Sequence, residues 1–258
     1  MKKLLTLLTI FLTLFLANPV FAAPTQSASL SGTTMWFSRA YNSTLNFSGS
    51  SFSACIWTNV TTQPTASAQY GLMNMYDNSG QKAWYFVYED LTGTPTLQMG
   101  GTFGAGGTFA RVSGTLATGS WHQTCMTYNS VNGNTKFYID GAQQGATQTA
   151  NTGGTATLTT QPFQIGGDAH ATWTTFAGKL SQAEVFNTEL SAATISSYYC
   201  YTFLGSEPNL VGSWSLSNTL ADLTANAFTL TNNGSIPFTA DVPTCLNKSS
   251  GLLGWFGW

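Results

Sequence analysis

W-H-Q-T-C-M-T-Y-N-S-V-N-G-N-T-K-F-Y-I-D-G, Trp121 to Gly141, reads as two strands with Asn132-Gly133 at the turn between them. An Asn-Gly pair between β-rich runs signals a hairpin because both residues tolerate the positive φ that a tight turn demands. Side chains alternate along a strand, so Trp121, Gln123, Cys125 and Thr127 share one face, and His122, Thr124, Met126 and Tyr128 the other. In the second strand Phe137 and Ile139 lie opposite Lys136, Tyr138 and Asp140. Asp140-Gly141 supplies a further turn pair.

Outward from this hairpin the chain is a series of short strand-like runs separated by turn residues. They fall at Thr33–Phe37, Thr44–Phe47, Phe52–Val60, Ala68–Tyr76, Lys82–Glu89, Thr96–Gly101, Gln144–Gln148, Pro162–Ile165, Leu210–Leu216 and Phe228–Thr231. In Ala83-Trp84-Tyr85-Phe86-Val87-Tyr88 nearly every residue is large and apolar, so either both faces are covered or one face binds something. One stretch breaks the pattern. Ser191 is a plausible N-cap, Ala192 and Ala193 suit a first turn, and Ile195 and Tyr199 share a face at i,i+4 spacing, which predicts one short helix over Ser191–Cys200.

The Trp-His strand followed by Phe-Tyr-Ile-Asp-Gly resembles the LamG-like and pentraxin-like families of the concanavalin A-like jelly rolls. The run Phe176 to Cys200, where Phe-Ala-Gly-Lys-Leu leads to a Leu-Ser helix start, is similar to the same families, as are Gly212–Leu216 and Phe238–Pro243. The resemblance spans Thr33 to Pro243 and implies an all-β fold: a two-sheet antiparallel jelly-roll sandwich with one short helix in the C-terminal third. The expected organisation is a signal peptide over 1–22, a loosely held segment over 23–32, a jelly-roll domain over 33–248 and an apolar tail over 249–258.

Met-Lys-Lys, the apolar run Leu4–Leu16 and the small residues before Ala23 form a secretory signal pattern cut after Ala22, too short for a comfortable membrane span. Without Lys2 and Lys3, six basic side chains face ten acidic ones, a formal net charge of −4. That balance excludes nucleic acid as a partner, which needs concentrated positive charge. Only 7% of residues are charged, so Thr, Ser, Asn and Gly make the surface polar, as suits a secreted protein that meets carbohydrate, extracellular matrix or its own copies. Four cysteines in an exported chain, Cys55, Cys125, Cys200 and Cys245, read as two disulfides with three pairings open. The pentraxin resemblance implies Cys55–Cys125, and with it Cys200–Cys245.

Several chemistries are absent from the sequence. There is no Glu-x-Asp-x-x-Glu strand to supply the paired carboxylates of a glycosidase, and Glu89 and Asp90 are neighbours that a strand points to opposite faces. No Gly-x-Ser-x-Gly elbow occurs, and His122 sits in a hydrophobic hairpin, so the expectation is a protein without catalytic activity. The pentraxin resemblance implies calcium, through Asp77-Asn78 and Asp168; the remaining pentraxin acids are missing, which leaves one ion or none, with a plain turn as the other role of Asp77-Asn78. Sugar binding needs aromatic faces and planar polar groups. Trp57, Trp84, Tyr85, Tyr88, Trp121, Tyr138 and Trp173 are the aromatic candidates, core packing being the competing role, and Trp173, Trp84 and Tyr88 are the expected ligand contacts. The expected function is a secreted glycan-binding or adhesion module. The alternatives are a structural subunit of an extracellular assembly and, last, a polysaccharide-degrading enzyme. The tail Leu252, Leu253, Trp255, Phe256 and Trp258 is expected to anchor on its own domain or on a partner.

Overall fold

The computed structural model describes residues 23–31, 34–47, 49–65, 68–76, 82–90, 93–101, 108–150, 160–167 and 174–247. Fifteen strands follow in chain order: β1 (Ser27–Leu30), β2 (Trp36–Arg39), β3 (Phe52–Val60), β4 (Ala68–Tyr76), β5 (Lys82–Asp90), β6 (Thr96–Gly101), β7 (Thr108–Ser113), β8 (Trp121–Tyr128), β9 (Asn134–Ile139), β10 (Ala142–Thr149), β11 (Phe163–Ile165), β12 (Gly178–Phe186), β13 (Leu210–Trp214), β14 (Thr231–Asn233) and β15 (Phe238–Thr239). A single α-helix among the described residues, α1 (Ala192–Tyr198), lies between β12 and β13.

The strands form two antiparallel sheets. One runs β10-β9-β8-β3-β12-β1-β15, with β13 also pairing β12; the other runs β14-β2-β11-β4-β5-β6-β7. Between them lies one core that takes Phe52, Ile56, Met126, Tyr128, Phe137 and Val185 from the first sheet and Leu72, Met75, Trp84, Phe86, Tyr88, Met99 and Phe163 from the second. This is the two-sheet jelly-roll architecture with one helix that the sequence predicts. Along β3 and β5 every second side chain, Phe52, Ala54 and Ile56 or Trp84, Phe86 and Tyr88, turns into this core because one face of each sheet meets the other sheet.

The hairpin that suggests the fold is present, with Thr127 opposite Lys136 and Tyr128 opposite Thr135. Its turn is wider than a two-residue Asn-Gly turn. Asn129 Oδ1 accepts from Val131 N and Asn132 N, Gly133 N donates to Asn129 O, and Gly133 takes φ +72°. In α1, Ser191 Oγ accepts from Thr194 N at 3.1 Å, and Ile195 is the buried anchor.

Both disulfides form, Cys55–Cys125 directly across β3 and β8, and Cys200–Cys245 tying the end of α1 to the C-terminal segment.

β7 (Thr108–Ser113) is a strand that the sequence reading lacks, and three other segments differ in kind or bounds from expectation. Ser27–Leu30, expected to be loose, is a mostly buried strand between β12 and β15, because β12 has an open flank there on which Ala28 pairs with Leu180. Thr44–Phe47, expected to be extended, carries a 3-10 turn over Ser43–Leu45, capped by Asn42 Oδ1 accepting from Thr44 N. Near Phe228 the strand begins three residues later, at Thr231, after Ala227 turns with φ +53°.

β10, the last strand of its sheet, is largely exposed, and its glutamines fold back on their own backbone. Gln143, Gln144 and Gln148 donate Nε2 to the carbonyls of Gly145, Ala142 and Ala146 at 3.0–3.2 Å. The signal segment and the apolar tail lie outside the described residues. No helix among the described residues is long and apolar enough to cross a membrane.

Candidate functional site

Strand alternation turns one side of the seven-stranded sheet away from the core. On β5 the core takes Trp84, Phe86 and Tyr88, so Tyr85, Val87 and Glu89 face out. Cross-strand register then assembles three rows on that outer face. Thr231, Ser38, Gln164, Asn74, Tyr85, Gly100 and Phe109 follow one another across all seven strands. Below them stand Gly71, Val87, Gln98 and Arg111, then Gln69, Glu89, Thr96 and Ser113.

The rows are linked by side-chain hydrogen bonds. Gln98 Nε2 donates to Tyr85 Oη at 2.9 Å, and Gln98 Oε1 accepts from Arg111 Nε and Nη2 at 3.1 and 2.7 Å. Arg111 Nη2 lies 3.6 Å from Glu89 Oε1, which also accepts from Thr96 Oγ1 at 3.3 Å, while Glu89 Oε2 accepts from Gln69 Nε2 at 2.5 Å. On the other flank Gln164 Nε2 donates to Asn74 Oδ1, whose Nδ2 donates to Gly167 O.

Tyr85 is the platform of this face. A Cβ on Gly100 would sit 2.3 Å from Tyr85 Cζ, so a glycine at that position is what lets the ring lie across β6. Tyr76 meets Tyr85 edge-on with centroids 5.4 Å apart. Phe109 is 55% exposed, with the Arg111 guanidinium 4.6 Å over its ring. Burial pushes the Tyr85 hydroxyl up to about 12, so it stays a neutral donor and acceptor at any ordinary pH. Burial also raises the Glu89 carboxyl, opposed by Gln69, Arg111 and Thr96. The face therefore offers aromatic edges and planes, amides held at fixed angles and one compensated ion pair. Among its described residues no second carboxylate stands opposite Glu89 to complete a glycosidase pair.

Trp84 and Tyr88, expected as ligand contacts, are core residues with no exposed surface. Trp84 Nε1 donates to Leu45 O at 2.7 Å, and Tyr88 Oη donates to Gln63 Oε1 and accepts from Leu116 N. Each indole or phenol thus has its polar atom satisfied inside the fold. Trp57 and Tyr138 are buried on the other sheet, and Trp121 there donates Nε1 to Asp241 Oδ1. His122 is tied through Nδ1 to Asp140 Oδ2 at 2.7 Å.

Trp173, Asp77, Asn78 and Asp168 lie outside the described residues. Their anchors are described. Tyr76, before Asp77, ends β4, whereas Gly167 and Thr174, flanking the segment with Asp168 and Trp173, lie beside Gly71 and Tyr70 near its start. The described residues next to Asp77 and to Asp168 lie toward opposite ends of β4. Among the described residues no group of three or more His, Cys, Asp or Glu side chains could hold a metal ion.

The sequence profile of the Laminin_G_3 family, described as the concanavalin A-like lectin/glucanases superfamily, matches residues 37–196. The chain belongs to this family. Among solved structures, a protein from Bacteroides ovatus ATCC 8483 proposed to bind carbohydrate aligns over 84% of this chain with a TM-score of 0.63 and 20% identity. This LamG-like chain spans only 60% of that protein's length. The Ruminococcus gnavus IT-sialidase CBM40, solved with α2,3-sialyllactose, aligns over 67% of this chain and 97% of its own, with a TM-score of 0.50 and 12% identity. A heptameric SAP-like pentraxin from Limulus polyphemus aligns over 69% and 83%, with a TM-score of 0.48 and 15% identity. At these identities the likeness is one of fold. No curated protein matches the sequence.

Proposed function

We propose that this chain is a secreted, non-catalytic glycan-binding module whose site is the outer face of the seven-stranded sheet around Tyr85. The observation that carries the reading is the Tyr85–Gln98–Arg111–Glu89–Gln69 chain of hydrogen bonds, closed by the Arg111–Glu89 ion pair. Sugars are bound by aromatic faces that meet their C–H surfaces and by oriented amides that meet their hydroxyls. The Glu89–Arg111 pair balances its own charge, so the face favours hydroxyl-rich ligands over strongly ionic ones. The Bacteroides ovatus and Ruminococcus gnavus structures described above, with TM-scores of 0.63 and 0.50, are named for carbohydrate binding, which supports the same class. Export with cleavage after Ala22, a calcium ion at Asp77, Asn78 and Asp168, and adhesion or self-association through the apolar tail belong to this reading as its further parts.

A glycan array run with and without chelator, followed by calorimetry on the best ligand, tests it. Wild type binds, and Tyr85→Ala weakens binding by at least about tenfold, equivalent to about 1.4 kcal/mol. An array with no ligand under either condition favours the structural-subunit alternative. Turnover of an oligosaccharide makes the protein an enzyme. Binding that survives Tyr85→Ala unchanged moves the site off this face.

A further inference from the structure

At Ala23, where the described chain begins, lies a pocket of about 240 Å³ whose walls include Pro24, Thr202, Phe203, Ser217, Thr219 and Leu223. Its surface is mostly apolar, and none of the described residues lining it is charged. Two of its hydroxyls are already engaged. Ser217 Oγ accepts from Thr25 N and Gln26 N at 3.1 and 2.9 Å, and Thr202 Oγ1 donates to Leu246 O at 3.2 Å. The second bond brings the far end of the described chain to the same place. Cys245 is bonded to Cys200, Leu246 is buried, and the described residues stop at Asn247. Leu204, beside Phe203, is 37% exposed. The sequence goes on with polar Lys248-Ser249-Ser250 and then Gly251 to Trp258, a stretch without one ionisable side chain. An uncharged, mostly apolar pocket and an uncharged, mostly apolar segment thus meet at one hydrogen bond.

We propose that this pocket is the docking site of the chain's own C-terminal tail, with the Trp255 indole as the group it holds. This rests on the cleavage after Ala22 given above, because a retained leader would leave Ala23 at the same pocket. An apolar cavity of about 150 Å³ takes up benzene, so this one has room for an aromatic side chain. Burying that side chain among uncharged walls is favourable, whereas burying a carboxylate there is costly. Trp258 carries the terminal carboxylate, which leaves Trp255 as the first aromatic of the tail and an uncharged one. Trp255 is nine residues beyond Leu246. At about 3.3 Å each those residues reach about 30 Å, enough to turn back to the wall at Thr202. A ligand on so short a tether has an effective concentration on the order of millimolar, which favours the molecule's own pocket over a neighbour's. Self-association through the tail, put forward above, is then the same contact exchanged between copies at high concentration.

The test uses mature protein, Ala23 to Trp258, made from a fusion whose removal leaves Ala23 first, so it does not depend on export. Chymotrypsin cleavage after Leu253, Trp255 and Phe256 is followed by mass spectrometry against a free Lys248–Trp258 peptide. The docked tail is cut at least about tenfold slower than the peptide, the factor that about 1.4 kcal/mol gives, at any protein concentration. Thr219→Trp, a change at an exposed residue of the pocket wall, fills the mouth and restores the peptide's rate. Trp255→Ser lowers Tm by about 2–4 °C and Trp258→Ser leaves it unchanged, a readout independent of any folding defect in the Thr219 variant. Cleavage of the wild-type tail at the peptide's rate overturns the inference, as does slow cleavage that Thr219→Trp leaves unchanged or a Tm indifferent to Trp255→Ser. Protection that fades on dilution makes the occupant a second copy's tail and overturns the assignment to the molecule's own. Intact mass of the exported protein separately checks the cut. A different first residue there refutes the processing reading, while the fusion-derived protein still decides whether the pocket holds the tail.

Discussion

Glu89 and Glu184 are both buried strand carboxyls, and their surroundings differ. Glu89 is held by Gln69, Thr96 and Arg111 on the outer face of its sheet. Glu184 stands between Cys55 and Ser213, and burial raises its carboxyl well above the ordinary range, a side-chain hydrogen bond from Gln182 opposing and Glu207 adding to the shift. The sign of the consequence follows. At low pH the folded and unfolded chains both hold the proton, and the stability is fully present. As pH climbs past the ordinary glutamate range the unfolded chain loses its proton while the fold keeps it. Stability then falls by about 1.4 kcal/mol per pH unit until the folded group ionises. Glu184→Gln therefore raises the urea midpoint near neutral pH, and the gain disappears in acid; an equal gain at every pH would show that ionisation is not the cause. Residue-scale reading of the sequence also explains the mistaken ligand contacts. Trp84, Tyr85 and Tyr88 are equally aromatic in A-W-Y-F-V-Y, and the face each one takes depends on register with strands that no local pattern reveals. Gln98, Arg111 and Asn74 gave still less signal, because isolated polar residues in strands acquire meaning only when four strands bring them together.

Among the elements, α1 depends on its cap. Ser191 supplies the oxygen that accepts from Thr194 N, and the seven-residue helix has little internal stability to spare. Ser191→Ala costs about 1 kcal/mol, measured as a lower denaturation midpoint with unchanged slope; Ser191→Asp, which keeps an acceptor, retains most of that stability. Elements with strong periodicity and clear turns were readable at their true bounds: Phe52–Val60, Ala68–Tyr76 and Thr96–Gly101. β1 was not, because Ser-Ala-Ser-Leu has the composition of a tail. Its strand character comes from the open flank of β12, a tertiary cause with no local trace. β7 was hidden for a related reason, since its exposed Phe109 breaks the alternation that marks a half-buried strand.

At the scale of the whole molecule, the two sheets carry different tasks. The seven-stranded one bears the polar face around Tyr85, and the eight-stranded one carries the Cys55–Cys125 bridge between β3 and β8, with α1 and the pocket at Ala23 beside it. A charged fraction of 7% leaves such a protein little electrostatic repulsion to keep its copies apart. Any sheet that stops must leave a border of backbone groups able to recruit a strand from another chain. The glutamines of β10 stand at that border, and their amides occupy carbonyls of Gly145, Ala142 and Ala146. A chain with so few lysines cannot rely on them to guard such a margin, and here the glutamine side chains fold along the strand instead. Replacing Gln143, Gln144 and Gln148 with Thr keeps the strand polar but too short to reach those oxygens. The variant should form thioflavin-positive fibrils after a shorter lag under agitation, at an unchanged melting temperature. An unaltered lag would mean that the glutamines are ornament and that resistance to fibril growth lies elsewhere.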